Sequence, residues 1–297
     1  MLAGPQIRYF RMYRRPDFRY SLGKLTQGEF SVKKILLSSV LIASALLLSA
    51  CKQDDQNSIK VAINAGPDQQ IWDTVKQVAK DKYHLDVNVI TFNDYVQPNE
   101  ALLNKDVDAN AFQSVPYLEM QEKERGYPFV ILGKTFIFPI AAYSSKIKNI
   151  KDLPDGATVT ISNEATTLGR SLLLLQSQGL IKVKPEAGLL PTVLDITANP
   201  KKLNFVLVDT PQLTRTLDDP KVYLSVINNN FASQAGLSAS KDGLFMEGKA
   251  SPYLNVLVAR KDNVGEKKLQ ELKQAFQSQE VLDKANQIYK GDIIKAW

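Results

Sequence analysis

The chain has 297 residues, one cysteine, one histidine, 37 basic and 31 acidic side chains, and a formal net charge of +6. Eight basic and two acidic residues precede Cys51, so the whole excess lies there and 29 of each sign follow; nucleic-acid binding loses its electrostatic basis. A lone cysteine leaves no intrachain disulfide, and His84, the lone histidine, removes Ser-His-Asp and Cys-His catalysis elsewhere and any His-rich metal site.

Lys33 and Lys34 form a positive segment, Ile35 to Leu48 an apolar one, and Leu48-Ser49-Ala50 the small residues of a cleavage site. The apolar run is short for a membrane span. A cysteine placed directly after it resembles the bacterial lipobox. Cys51 is therefore expected to carry lipid and become the mature amino terminus, with residues 1–50 removed and residues 51–58 serving as anchor and linker. Residues 1–30 are unusual ahead of such a signal, and no Met lies between Met12 and Met120; translation is expected to start near Val32. The remaining 247 residues suffice for a sizeable core without disulfides.

Ile59 to Ile63 alternates as a strand and ends in the turn cluster Asn64-Ala65-Gly66-Pro67-Asp68. Ile71, Val75, Val78 and Ala79 then fall at helical spacing, which predicts a helix over Gln69 to Tyr83, and Leu85 to Phe92 is a second strand. This is a βαβ unit. His84 sits where the helix must stop, a position for a left-handed cap. Further on, the pattern predicts a short helix over Pro98 to Asn104, a strand over Val107 to Phe112, and a helix over Tyr117 to Arg125 closed by Gly126. Phe129 to Tyr143 reads as two strands, and Gly133-Lys134-Thr135 is no phosphate loop because Pro128 stands where its first glycine belongs.

A strand is expected at Thr158 to Ser162, then a helix from Leu168 to Gln178 with Thr166 or Thr167 as N-cap and Gly179 as stop. Arg170 would fall in its first turn, opposed by the helix dipole unless an anion joins it. Amides of the helix end plus the guanidinium would make a carboxylate site; a surface ion pair is the other reading. Strands at Leu203 to Val208, Val222 to Ile227 and Leu254 to Val258, a helical stretch at Gln212 to Leu217 and two closing helices complete an α/β chain. Asn228-Asn229-Asn230 reads as a turn.

The order of segments resembles the methionine-binding lipoproteins that serve ABC importers. The resemblance rests on Phe92-Asn93-Asp94-Tyr95, Pro98-Asn99-Glu100-Ala101-Leu102, Asp108 to Gln113, Leu168-Gly169-Arg170 with the leucines that follow, Gly188 to Asp195, Ser251-Pro252-Tyr253 with Asn255, and the final Trp297. It implies a two-lobed periplasmic-binding-protein fold, with one lobe over 59–137 plus 253–297, the other over 138–252, and the ligand cleft between them. Tyr95, Phe112 and Tyr117 match the aromatic residues around the thioether, Arg170 the carboxylate-binding arginine, and Asn228 and Asn255 the family's asparagines. Two positions depart, with Ser114 where His is common and Thr167 where Asn is common, which leaves more room there. The resemblance implies a non-catalytic, monomeric binder of L-methionine, or of a methionine derivative, methionine-containing dipeptide or other amino acid. It would be held in the cell envelope by its lipid, facing the periplasm or exterior, and would deliver ligand to an importer's permease and ATPase. No cofactor, metal or nucleic acid is expected. A surface lipoprotein without a transport role is the other class.

Overall fold

The computed structural model describes residues 57–297, so Cys51 and the leader lie outside the described residues. Ile59, Val61 and Ile63 are wholly buried on one face of β1 (Ser58–Asn64), while Ala62 packs into a separate cluster on the other. A strand covered on both faces favours a parallel sheet, and β1 pairs in parallel with β2 (Asp86–Phe92) and β3 (Ala109–Asn110). The same sheet continues antiparallel through β12 (Leu254–Arg260) and β4 (Phe129–Ile137) to the short β13 (Ile294–Lys295).

Between β1 and β2 runs α1 (Asp68–Tyr83), which buries Ile71, Trp72, Val75, Val78 and Ala79. It packs against α7 (Lys267–Phe276) and α8 (Gln279–Tyr289), with the Trp72 and Phe276 rings 5.3 Å apart. His84 ends α1 in the left-handed region at φ 56, its amide donating to Lys80 O at 3.1 Å. On the opposite face lie α2 (Gln97–Leu103) and α3 (Val115–Arg125), the latter closed by Gly126 at φ 68.

A second sheet has the order β11 (Phe245–Met246), β5 (Ala141–Tyr143), β10 (Val222–Ile227), β6 (Thr158–Ser162), β9 (Asn204–Val208). Its parallel part is β10-β6-β9, and α4 (Ala165–Ser177) covers it with Leu168, Leu172 and Leu175. The chain passes between the sheets at Phe138–Ile140 and again at 247–253. The expected helix at Gln212 to Leu217 is a 3-10 segment, Thr210–Asp218. Among the described residues, no helix is long and apolar enough to cross a membrane.

Candidate functional site

Parallel strands of both sheets point their carboxyl ends at one cavity of about 650 Å³, mouth included. Asn64 closes β1, Tyr95 follows β2, Phe112 and Ser114 follow β3, Thr167 and Arg170 follow β6, and Asn228 follows β10. These residues, with Tyr117 and with Asn255 from β12, line the cavity. Clefts beyond strand ends are where open α/β sheets bind ligands. All eight candidate ligand-binding residues therefore meet, although they lie up to 160 positions apart in the chain.

The wall from the first sheet rests on neutral polar groups. Asn99, Asn110 and Gln113 are almost wholly buried. Asn110 Nδ2 donates to Asn99 Oδ1 at 2.8 Å, Gln113 Nε2 to Asn99 Oδ1 and Asn110 Oδ1 at 2.9 Å, and Asn99 Nδ2 to Gln113 Oε1 at 3.0 Å. Of the strand expected over Val107 to Phe112, only Ala109–Asn110 is strand, flanked by Asp108 and Ala111 amides that donate to Lys60 O and Ala62 O. The loop so held presents Phe112 and Ser114. The Asn255 amide donates to Phe112 O at 3.1 Å, which ties β12 to the same loop.

Tyr95, Phe112 and Tyr117 form a tilted ring cluster with centroids 6.0–6.3 Å apart, and Phe231 joins it 5.5 Å from Tyr95. The Tyr117 hydroxyl donates to Tyr95 O at 2.6 Å, and the Tyr95 hydroxyl to Asn230 Oδ1 at 2.9 Å. Burial pushes both phenols well above their ordinary range, so they serve as neutral groups. The second bond crosses between the two sheets, as does Gln234 Nε2 to Ala65 O at 2.7 Å.

The opposite wall rests on charge. Helix α4 starts three residues ahead of the expected Leu168, because Glu164 is its N-cap and accepts from Thr166 N at 2.8 Å and Thr167 N at 2.7 Å. Neither threonine caps, and Arg170 falls in the second turn. Its Nε donates to Glu247 Oε1 at 2.8 Å, and its Nη2 bonds Glu247 Oε2 and, at 2.9 Å, Phe138 O. The guanidinium lies 4.6 Å from the centre of the Tyr253 ring. Burial pushes the Tyr253 phenol up to about 12, opposed by the Arg170 charge. Both halves of the expected carboxylate site, helix amides and guanidinium, are thus already engaged by the chain's own carboxylates. Of the guanidinium nitrogens of Arg170, only Nη1 makes no hydrogen bond among the described residues.

On the third side of the cleft the sequence reading found Asn228 but missed Asn64, Asp68 and Asn230. Asn64 donates its amide to Asp94 O at 2.8 Å, which leaves Asn64 Oδ1 buried and unpaired; Asn228 Oδ1 and Asn230 Nδ2 are unpaired as well. Asp68 also lines the cavity, at the first position of α1 where the helix dipole favours an anion. Burial raises its carboxyl from 3.8 to about 6, against the lowering effect of the hydrogen bond from Tyr289. Asn64 and Asp68 belong to the turn cluster after β1, and a cluster at the carboxyl end of a parallel strand was the signal available. Glu247 left no such signal.

The cleft therefore offers a guanidinium N–H on one side, a carboxylate and two amide oxygens on another, and aromatic faces. This combination suits a zwitterion with an apolar or sulfur-bearing side chain. Among the described residues, no group of three or more His, Cys, Asp and Glu could hold a metal.

The profile of the NlpA lipoprotein family matches residues 59–297. The D-methionine-binding lipoprotein MetQ of Escherichia coli (strain K12) is 52% identical over 270 residues, covering 90% of this chain and 99% of that protein. A nutrient binding protein from Burkholderia cenocepacia, solved bound to methionine, superposes with a TM-score of 0.78 at 46% identity, covering 80% of this chain and 100% of the other. An ABC transporter periplasmic substrate-binding protein from Coxiella burnetii gives 0.77 at 44% identity, with the same coverage.

Proposed function

The chain belongs to the NlpA lipoprotein family, and from that premise we propose that it is a non-catalytic solute-binding protein for L-methionine that serves an ABC importer. The observation that carries the reading is the polarity of the cleft. Arg170 Nη1 receives the ligand carboxylate, Asn64 Oδ1, Asn228 Oδ1 and Asp68 receive the ammonium, and Tyr95, Phe112 and Tyr117 cover the thioether. Sulfur against ring edges contributes about 0.3–1.5 kcal/mol a contact. Ser114 and Thr167 offer hydroxyls and leave room beside the ligand.

In this reading, residues 59–137 with 253–297 and residues 138–252 act as lobes hinged at Phe138–Ile140 and 247–253. Closure over the ligand makes the surface that the importer recognises. Residues 1–50 are removed, Cys51 carries the lipid, residues 51–58 are the linker, and the protein works as a monomer at the envelope membrane, facing the periplasm or exterior. The names of the relatives support methionine as the ligand, printed as D-methionine for the Escherichia coli protein, and an ABC transporter as the partner.

Isothermal titration of the full chain in detergent tests the ligand. One methionine is expected to bind per chain, with a matching rise in melting temperature by mass action. Binding of no amino acid at all would overturn the reading.

A further inference from the structure

Three side chains spaced four residues apart reach from one lobe to the other. Asn230 and Gln234 lie one turn apart on α5 (Asn229–Gln234), and Ser238 follows in the turn before α6 (Ala239–Asp242). Asn230 Oδ1 accepts from the Tyr95 hydroxyl at 2.9 Å, Gln234 Nε2 donates to Ala65 O at 2.7 Å, and Ser238 Oγ donates to Asp292 Oδ2 at 2.9 Å. The contacts form a polar seam. It starts at the cleft wall, where Asn230 lies, and ends at Ser238 and Asp292, which are not among the residues that line the cavity.

Asp292 is the one charged member of the seam. It is 7% exposed, and its carboxylate accepts from Ser238 Oγ and, at 3.2 Å, from Ser240 N. Both donors belong to the opposite lobe, so parting the lobes takes both away. Hydrogen bonds to an ionised acceptor are roughly twice as strong as neutral ones, which makes this the strongest link of the three. The local backbone aims the carboxylate: α8 ends at Tyr289, Lys290 and Gly291 take φ 50 and φ 85, and Asp292 N donates back to Tyr289 O at 2.8 Å. Tyr289 in turn holds Asp68 in the cavity wall through its hydroxyl, and its ring stands edge-on to Phe138 at the lobe crossing, with centroids 5.3 Å apart. One turn of chain thus joins the cleft wall, the crossing and the contact with the other lobe.

We propose, resting on the lobe boundaries given above, that Asp292 is the latch of this seam: it fixes how far the lobes close and so sets affinity without touching the ligand. The affinity of a protein that must close to bind scales with the fraction of chains in the closed form. A latch made of polar bonds can exchange them for water when the lobes open, so it biases closure and leaves it reversible.

The test combines titration calorimetry of the full chain in detergent with pulsed electron paramagnetic resonance between spin labels placed by Lys123→Cys on one lobe and Glu186→Cys on the other. Asp292→Ala is expected to weaken methionine binding by about tenfold, the loss of the bonds to one carboxylate, and to lengthen the distance between the labels in the absence of ligand. Asp292→Asn keeps an acceptor but no charge, and should fall between wild type and Asp292→Ala on both measures. Ser238→Ala added to Asp292→Ala should cost little more, because the hydroxyl acts on the seam through that carboxylate. Melting curves establish that each variant folds. A lower melting temperature with affinity and label distance unchanged would make Asp292 a structural residue and overturn the inference, as would a double variant whose loss is the sum of the two single ones; both results leave the amino-acid reading standing. Should the wild type bind no amino acid, the ligand reading falls by itself, and the label distance alone decides the latch.

Discussion

The two walls of the cleft are fixed by opposite chemistries. On the first sheet a closed set of amides, Asn99, Asn110 and Gln113, holds the loop that carries Phe112 and Ser114. On the second, two carboxylates do the holding, Glu247 on Arg170 and Glu164 on the start of α4. A neutral network creates little field and sets shape. An ion pair sets the direction of a single donor while offsetting most of its charge. Arg170 is therefore an oriented hydrogen-bond donor more than a source of positive potential, and in the proposed role its selectivity for a carboxylate comes from geometry.

The largest effect is expected where that charge balance is broken. Arg170→Ala leaves Glu247, whose side chain is 11% exposed, without its cation. Removing one partner of a buried pair costs about 3–5 kcal/mol, to be read from urea unfolding, and binding of any ligand with a free α-carboxylate should be lost. Replacing both partners, with Arg170→Met and Glu247→Met together, should restore most of the stability and none of the binding. If binding returned with stability, Arg170 would be a structural residue only.

On the neutral wall, Asn99→Leu removes the hub of the amide set and strands groups on Asn110 and Gln113. Each buried polar group left unpaired costs about 1–3 kcal/mol. Stability should fall by a similar amount, and affinity should weaken for charged and neutral side chains alike, because the loop moves as a unit. An affinity loss confined to ligands with a free carboxylate would contradict the division of labour between the walls.

How far these walls were legible in the sequence follows from the same division. Strands β6 and β10 were read to the residue, because each is a short apolar run bounded by turn chemistry. The ring cluster was found through the family resemblance and not through pattern, whereas Arg170 stood out by its place near a helix start, with a surface ion pair as the other reading, and the resemblance chose between the two. The start of α4 was misread since hydroxyl residues are the favoured caps, whereas Glu164 reaches two amides at once. Asn228-Asn229-Asn230 was read as a turn but opens α5 (Asn229–Gln234), a helix too short to show a period. Glu247 meets Arg170 across 77 positions, and no local rule links residues so far apart.

A smaller effect separates the cation end of the cleft from both walls. The Asp68 carboxyl, raised by burial to about 6, is ionised above that pH and protonated below it. An ammonium ligand needs the ionised form, so affinity should be flat above about pH 7 and fall as pH drops through 6. Near pH 5 it should be weaker by about tenfold. Titration calorimetry at successive pH values checks this, and Asp68→Asn should flatten the curve. A wild-type affinity constant from pH 7.5 to 5 would exclude Asp68 from the ammonium end.

The smallest effect is expected from a single hydroxyl within the neutral wall. Tyr117→Phe keeps the ring packed against Phe112 and Tyr95 but loses the 2.6 Å bond to Tyr95 O. A neutral hydrogen bond contributes about 0.5–1.5 kcal/mol net, so the unfolding midpoint should shift slightly and affinity should change by less than about tenfold. The loss should be equal for methionine and norleucine, since the hydroxyl is spent on backbone and not on ligand. A loss confined to methionine would mean that the Tyr117 hydroxyl turns toward the ligand, which would give the aromatic wall a polar role.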